Sequence, residues 1–317
     1  MNFLTRLDLL VRVLLLAIAL AVVAPVSGAM REVVQFIANA AVFILFFLNG
    51  LRLPRDEVRA GLTNHRLLWP LTAWVYGVMA LSGWAVWQLG QGWMPPMIAL
   101  GFLYLGCMPS TVQSATAYSS LGGGNVASSV IAAALLNIMG VFVSAPLFSL
   151  LGGGGAAEFH TDSLIKVIGM LLVPFIAGQL MQDRLGGWVK GHRALVTGMD
   201  RAAIAIAVYV AFSGAVEQRF WTRIDAQGWL WLVAGTAVLL VIGHLGAWWL
   251  GRAVGLDRAN RVSMLFAGGQ KSIAMGAPMA TVLFPPAVAG VILLPILLYH
   301  LVQLIIAAPI AVRLRGG

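Results

Sequence analysis

Charged side chains are scarce in this chain. Only 10% of its 317 residues are Asp, Glu, Lys or Arg, whereas 60% are hydrophobic. A soluble domain carries roughly 25% charged residues, so the shortage excludes an ordinary soluble protein. Because a transmembrane helix needs about 20 largely apolar residues, this length holds about ten spans with short loops. We therefore expect one membrane domain over residues 1–317, with no sizeable soluble part.

Cysteine and the common catalytic motifs are nearly absent as well. Cys107 is the only cysteine and cannot form an intrachain disulfide. The chain has no Walker loop, no His-Glu-x-x-His sequence and no cysteine pairs for zinc. No nucleophile and base pair is evident. We expect no enzyme, no ATP-driven pump made by this chain alone, and no cofactor other than a coupling ion such as Na⁺.

The apolar residues fall into ten windows bounded by charge, glycine or proline. They cover about 9–27, 33–51, 67–89, 95–121, 125–151, 163–182, 202–216, 228–251, 260–283 and 287–312. The first window follows Arg6 and precedes small residues at 26–29, so a cleaved signal peptide is an alternative there. Arg12 lies inside that window, and we expect the segment to be retained.

The net charge of +9 comes from basic residues in short clusters between the windows, not from one patch that could bind nucleic acid. With ten spans both termini share a side, and fifteen lysines and arginines fall on that side against four on the other. Cytoplasmic loops carry the excess of positive charge. We expect a multi-pass protein of the bacterial-type inner membrane with both termini in the cytoplasm.

Two windows share a pattern that predicts an internal repeat. Asn137 lies nine residues before Pro146, and His300 lies nine residues before Pro309. Ten spans divide into two sets of five, and an odd-numbered unit must be inverted when it is repeated. The pattern favours inverted repeats at about 1–155 and 156–317.

The windows 95–121 and 260–283 are each interrupted by helix-breaking residues, Pro109 in one and Gly268-Gly269 in the other. Paired breaks at corresponding positions point to a transporter site, since freed backbone groups must face protein, water or a ligand. A proline kink with serines bonded to their own helix is the alternative for the first. The polar residues around the breaks are Ser110, Thr111, Gln113, Ser114, Thr116, Gln270, Lys271 and Ser272.

Lys271 lies near the middle of an apolar window, where an ionisable side chain is by default a sign of function. Snorkelling to the interface is the alternative. All eleven acidic residues lie in loops or near window ends, with Asp8 and Asp200 the nearest to an interior. Lys271 must therefore be neutral, solvated, paired with a substrate anion, or placed among carbonyl groups at a helix C-terminus.

Polar residues in the other windows are open to two interpretations. Asn137, Ser129 and His300 are either ion or substrate ligands or hydrogen-bonded packing groups. His244 is a second intramembrane histidine, for which an interhelical contact is the more frequent role.

Three stretches carry a family resemblance: 108–118, 123–127 and 269–278. They resemble the bile acid:sodium symporter family (solute carrier family 10), particularly the branch around its seventh human member and bacterial relatives. The resemblance implies an all-α protein with ten transmembrane helices in two inverted five-helix repeats, divided into panel and core domains. It also implies that helices 4 and 9 are broken and cross, and that organic anions are taken up with sodium by alternating access.

Carried over residue by residue, the resemblance implies possible sodium ligands at Ser114, Thr116, Ser129 and Gln270. The glutamate of typical sodium symporters falls at Phe266, and their usual asparagine falls at Lys271. A fixed cation at this place could replace the ion, or could titrate and couple transport to protons.

The function we expect is secondary active transport of a small organic anion, with a cation-coupled symport mechanism. The partners are that anion and the lipid bilayer, without nucleic acid. The alternatives are a sodium-independent or proton-coupled carrier, a cation/proton antiporter, for which no intramembrane carboxylate is evident, and a membrane regulator that transports nothing.

Overall fold

The computed structural model describes residues 9–28, 30–52, 65–152, 165–166, 168–219, 222 and 224–316, and this part of the chain contains helices and short connections without a β-strand. Thirteen helices are described. They are α1 Leu9–Val23, α2 Met30–Arg52, α3 at 65–90, α4 Pro96–Cys107, α5 Gln113–Leu121, α6 Val126–Gly152, α7 at 168–191, α8 Arg193–Glu217, α9 Ala226–Ala253, α10 Arg258–Gly269, α11 Ile273–Leu283, α12 Pro286–Ile292 and α13 Leu294–Gly316.

Five helical segments of the described chain are long and apolar enough to cross a membrane. They are Met30–Arg52, Val126–Gly152, Arg193–Glu217, Ala226–Ala253 and Pro286–Arg315. At least 18 residues of mean hydropathy between 1.6 and 2.4 in each of them are typical of a membrane span. The chain is therefore a polytopic membrane protein, as its composition predicts.

Several helices differ in extent from the apolar windows. The window 202–216 is extended backwards to Arg193, because Arg193, Asp200 and Arg201 lower its hydropathy without breaking the helix. The window 287–312 is divided at Leu293 between α12 and α13. Arg6, Arg55, Arg59 and Arg223, on which part of the predicted topology rests, lie outside the described residues, and so does Asp8.

Three helices contain a wider π-helical turn. The turns are Trp74–Val78 in α3, Ile168–Leu172 at the start of α7, and Ile242–Gly246 in α9. A π turn inserted in an α-helix is rare and is frequent at functional sites. The turns in α3 and α9 both contribute residues to the site described below.

The chain forms two compact units. The first comprises 1–54, 159–223 and 277–293, and in it α2 packs closely along α7. Glycines allow this approach, since a Cβ on Gly178 would lie 3.1 Å from the Cα of Gly50. An ion pair joins Arg52 to Asp200. Asp200 thus has a cationic partner within this unit.

The second unit comprises 55–158, 224–276 and 294–317 and contains both helix breaks. In it α3 packs on α4, where a Cβ on Gly106 would lie 3.1 Å from the Cα of Gly83. The helices α9 and α10 pack together, and α13 lies against α4 and α5. A core of buried apolar side chains, including Leu71 and Met264, joins α3, α6, α9 and α10.

Candidate functional site

The first break lies between α4 and α5. Helix α4 ends at Cys107, and Met108 has an extended backbone with φ −76° and ψ 147°. Pro109 has no N–H group and disfavours a helical conformation at the residue before it. The next helical segment begins at Gln113. The last carbonyl groups of α4 are therefore available to partners outside their own helix.

The second break lies between α10 and α11, directly after the glycine pair. Gly268 and Gly269 are the last residues of α10, and Gln270 is extended with φ −97° and ψ 144°. The glycines serve close packing, because a Cβ on Gly269 would lie 2.8 Å from the ring of His244 in α9. Helix α11 then begins at Ile273, and its Met275 N–H donates to the Ser272 hydroxyl at 3.2 Å.

The two breaks touch each other. The backbone N–H of Ser272 donates to the carbonyl oxygen of Pro109 at 2.9 Å. The Ser114 hydroxyl donates to the amide oxygen of Gln270, and Thr111 donates to the same oxygen at 3.4 Å. Polar groups from two distant parts of the sequence thus meet within the second unit.

Lys271 is completely buried at this crossing, with 0% of its surface exposed. Its side-chain Nζ donates to the carbonyl oxygens of Met108 at 2.7 Å, Gly106 at 2.8 Å and Val75 at 3.4 Å. The sequence leaves four environments open for the Lys271 side chain. In the structure the side chain lies among carbonyl groups at a helix C-terminus. Snorkelling is excluded by the burial. The described residues contain no ion pair to Lys271.

Side chains of helix α13 contact the backbone of the second break. The Gln303 side chain accepts from the Lys271 backbone N–H at 2.8 Å and donates to the Lys271 carbonyl at 3.1 Å. His300 Nδ1 lies 3.5 Å from that carbonyl, and the Tyr299 hydroxyl donates to Gly269 at 2.5 Å. All three side chains are buried, so the break is fixed by bonds that exclude water.

Helix α6 holds the first break in a comparable way. The Asn137 side-chain N–H₂ group donates to the carbonyls of Ser110 at 2.7 Å and Ala133 at 2.8 Å. Ser110 is itself fully buried, and its hydroxyl donates to the carbonyl of Thr111 at 3.4 Å. A proline kink with serines bonded only to their own helix does not describe this arrangement, because Asn137 of α6 and Gln270 of the second break bond to residues of the first break.

Some buried polar atoms of the predicted site residues have no hydrogen-bond partner within the described residues. These are the hydroxyls of Thr116 and Ser129 and the amide nitrogen of Gln270. Both hydroxyls belong to the set that the sequence predicts as sodium ligands, and that role stays a prediction. Gln113 differs from the others, because its side chain is exposed at the start of α5 and does not join this hydrogen-bonded group.

Sequence reasoning missed several contributors. The carbonyls of Val75, Gly106 and Met108 are backbone groups without a residue signature. Tyr104, whose hydroxyl donates to the Gly276 carbonyl at 2.6 Å, and Tyr299 could have been noticed as buried polar groups within apolar windows. Gln303, three residues after His300, carried the same signal.

Comparisons with known proteins decide the family. The model of the SBF-like CPA transporter family matches residues 8–316. The chain belongs to this family. A protein of Pseudomonas aeruginosa without a functional name is 35% identical over 95% of this chain and 90% of its own. YfeH of Escherichia coli, named as a candidate symporter, is 33% identical over 95% of this chain and 91% of its own. The rat sodium/bile acid cotransporter 7 is 22% identical over 88% of this chain and 83% of its own.

Members of this transporter family are transporters and not enzymes, in agreement with the motifs the sequence lacks. The family resemblance seen in the three sequence stretches is confirmed. Phe266, where the resemblance would put the glutamate of typical sodium symporters, is fully buried beside Tyr118 with ring centroids 5.9 Å apart. The described residues hold no group of three or more acidic, histidine or cysteine side chains that could bind a metal ion.

Proposed function

We propose that this protein is a secondary active transporter that moves a small organic anion across the bacterial inner membrane by alternating access. A cation is the coupling ion, with Na⁺ the first candidate. The observation that carries the proposal is the contact between the two broken helices, in which Ser272 bonds to Pro109 and Ser114 to Gln270. Broken helices that meet inside a membrane protein form substrate and ion sites in many transporters.

The polar groups at the crossing support a site for an ion and an anion together. Within the described residues the buried hydroxyls of Thr116 and Ser129 have no hydrogen-bond partner, and Ser114 and Gln270 provide two oxygens at the crossing. Buried groups of this kind cost free energy unless a ligand or water satisfies them. The names of the relatives, symporter and sodium/bile acid cotransporter, support the same class of cargo.

Inverted repeats fit the way in which each break is held. Asn137 in α6 bonds to the first break, and His300 and Gln303 in α13 contact the second. Pro146 lies inside α6 and Pro309 inside α13, each nine residues beyond its polar partner. We infer ten spans in two repeats with both termini cytoplasmic. Reporter fusions at residue 317 test the orientation, since alkaline phosphatase should be inactive there and a fluorescent protein active.

Thermal melting of the purified protein tests the function. The panel contains taurocholate, propionate, benzoate and methanesulfonate, with tetraethylammonium as an organic cation, each in NaCl, KCl or choline chloride. We expect at least one anion to raise the Tm by about 2 °C or more, because a ligand that binds only the folded state stabilises it. Dependence of that shift on Na⁺ identifies the coupling ion.

Two serines of α5 provide matched variants. Ser114→Ala removes the bond to Gln270 and should abolish the anion's shift, whereas Ser120→Ala at an exposed position should retain it. A shift with tetraethylammonium alone, or an unchanged anion shift in Ser114→Ala, would contradict the proposed site.

A further inference from the structure

Three backbone carbonyl oxygens converge on one point beside the first helix break. Gly106 and Met108 contribute two of them from the C-terminal end of α4, where the helix dipole carries partial negative charge. Val75 contributes the third from the π-helical turn of α3. Converging carbonyl groups at half-helix ends are a means by which membrane proteins bind monovalent cations.

The ammonium group of Lys271 occupies this point. Its three N–H donors match the three carbonyl acceptors, at 2.7, 2.8 and 3.4 Å. Every neighbour that Nζ bonds in the described residues is an acceptor, and a protonated ammonium offers one N–H to each of the three carbonyls.

Hydrogen bonds to the backbone of Lys271 and of the next residue fix the place from which the lysine side chain extends. Gln303 bonds both the N–H and the carbonyl of Lys271, and Ser272, the next residue, bonds Pro109. The side chain is fully buried, so water does not compete for the three carbonyls. A free ion could leave such a site, but the lysine cannot.

We propose that Lys271 is a tethered cation that fills a monovalent-cation site formed by the carbonyls of Val75, Gly106 and Met108. The site therefore binds no coupling ion in this protein. It follows that this protein couples one cation fewer to transport than a relative with a neutral residue at 271 would. This consequence rests on the proposed function, whereas the assignment of the cation site is independent of it.

The test removes the tether and supplies small cations. Lys271→Ala leaves space for an ion at the three carbonyls, and Lys190→Ala at an exposed position serves as the control. In choline chloride we expect the Tm of Lys271→Ala to fall by roughly 5 °C or more, from the scale on which lost interactions lower Tm. Methylammonium should restore at least half of the loss, because it replaces the end of the lysine side chain.

Tetramethylammonium has no N–H donor and should restore nothing. Neither methylammonium nor tetramethylammonium should change the Tm of Lys190→Ala or of the wild type. The proposal is overturned if Lys271→Ala melts like the wild type in choline chloride, or if no small cation raises its Tm. Because no substrate is involved, either outcome leaves the proposed transport function standing.

A second measurement uses the wild type alone and decides the question if Lys271→Ala does not fold. Crystals or cryo-EM grids are prepared in Tl⁺ or Rb⁺. We expect no ion within bonding distance of the Gly106 and Met108 carbonyls and clear density for the lysine there. An ion at those carbonyls, with the Lys271 side chain turned away, contradicts the proposal.

Discussion

The backbone N–H of Ser272 donates to the carbonyl oxygen of Pro109 at 2.9 Å, so the two interrupted helices are joined at their breaks. Neither residue has a regular helical partner there, since α4 ends at Cys107 and α11 begins at Ile273. Each break thus supplies a partner for the other. Exposure of such groups to lipid would cost several kcal/mol each, and we expect the substitutions that loosen the crossing to destabilise the protein.

Asn137→Leu should lower stability through the first break. The substitution removes both bonds of the side-chain N–H₂ group and leaves the buried Ser110 carbonyl without its 2.7 Å donor. A buried polar group left without a partner costs about 1–3 kcal/mol. Thermal melting in detergent measures the change, with Asn39→Leu in α2 as the comparison. An unchanged Tm would show that Asn137 does not hold the break.

Gln303→Leu should lower stability through the second break. Gln303 bonds the backbone of Lys271 on both sides, and an apolar side chain of similar size satisfies neither group. The expected loss is about 2 kcal/mol or more. Gln91→Leu, at an exposed position, should change the Tm little. Equal effects of the two substitutions would argue against a special role for Gln303.

Two glycines of the second unit should respond to alanine with opposite signs. A Cβ on Gly106 would lie 2.7 Å from the carbonyl oxygen of Met79, which is backbone and cannot move aside easily. Overpacking of this kind costs about 1–3 kcal/mol. Gly77 has nothing within 4 Å of the added atom, and alanine there should stabilise the helix by about 0.5–1 kcal/mol. We expect Gly77→Ala to melt at a higher temperature than the wild type and Gly106→Ala at a lower one. The reverse order would contradict the close packing of α3 on α4.

Cys107 should react slowly with maleimides in the native protein. It is fully buried at the end of α4, and it is the only thiol in the chain, so labelling reports this place alone. We expect the rate with N-ethylmaleimide to rise at least about ten-fold in SDS, since a buried thiol is inert. Comparable rates in both conditions would mean that the end of α4 is open to solvent in the native state.

The positions of the breaks were predictable because a proline or a pair of glycines disfavours a continuous helix through its own backbone properties. Pro109 lies within the first break, as expected. The glycine pair was a less accurate guide, since Gly268 and Gly269 end α10 and allow the approach of α9, and the break itself begins at Gln270. Local sequence identified where the chain departs from a helix to within about two residues, which is the usual uncertainty of helix ends.

The environment of Lys271 could be narrowed from sequence but not chosen. The absence of an intramembrane carboxylate left four possibilities, and the partners are backbone carbonyls that any residue types could provide. The carbonyl of Val75 is available through a π turn that no motif marks. Only the three-dimensional crossing of α4 with the second break brings these groups together. The roles of Thr116 and Ser129 as ion ligands stay predictions.

Uptake into proteoliposomes is the most direct test of the central claim that the crossing is a transport site for an organic anion. The radiolabelled anion is the member of the panel with the largest thermal shift. We predict that the wild type accumulates it above protein-free vesicles, that Ser120→Ala does the same, and that Ser114→Ala falls by at least about ten-fold, which corresponds to 1.4 kcal/mol. Uptake by Ser114→Ala equal to that of the wild type, or no uptake of any panel anion by the wild type, would contradict the account.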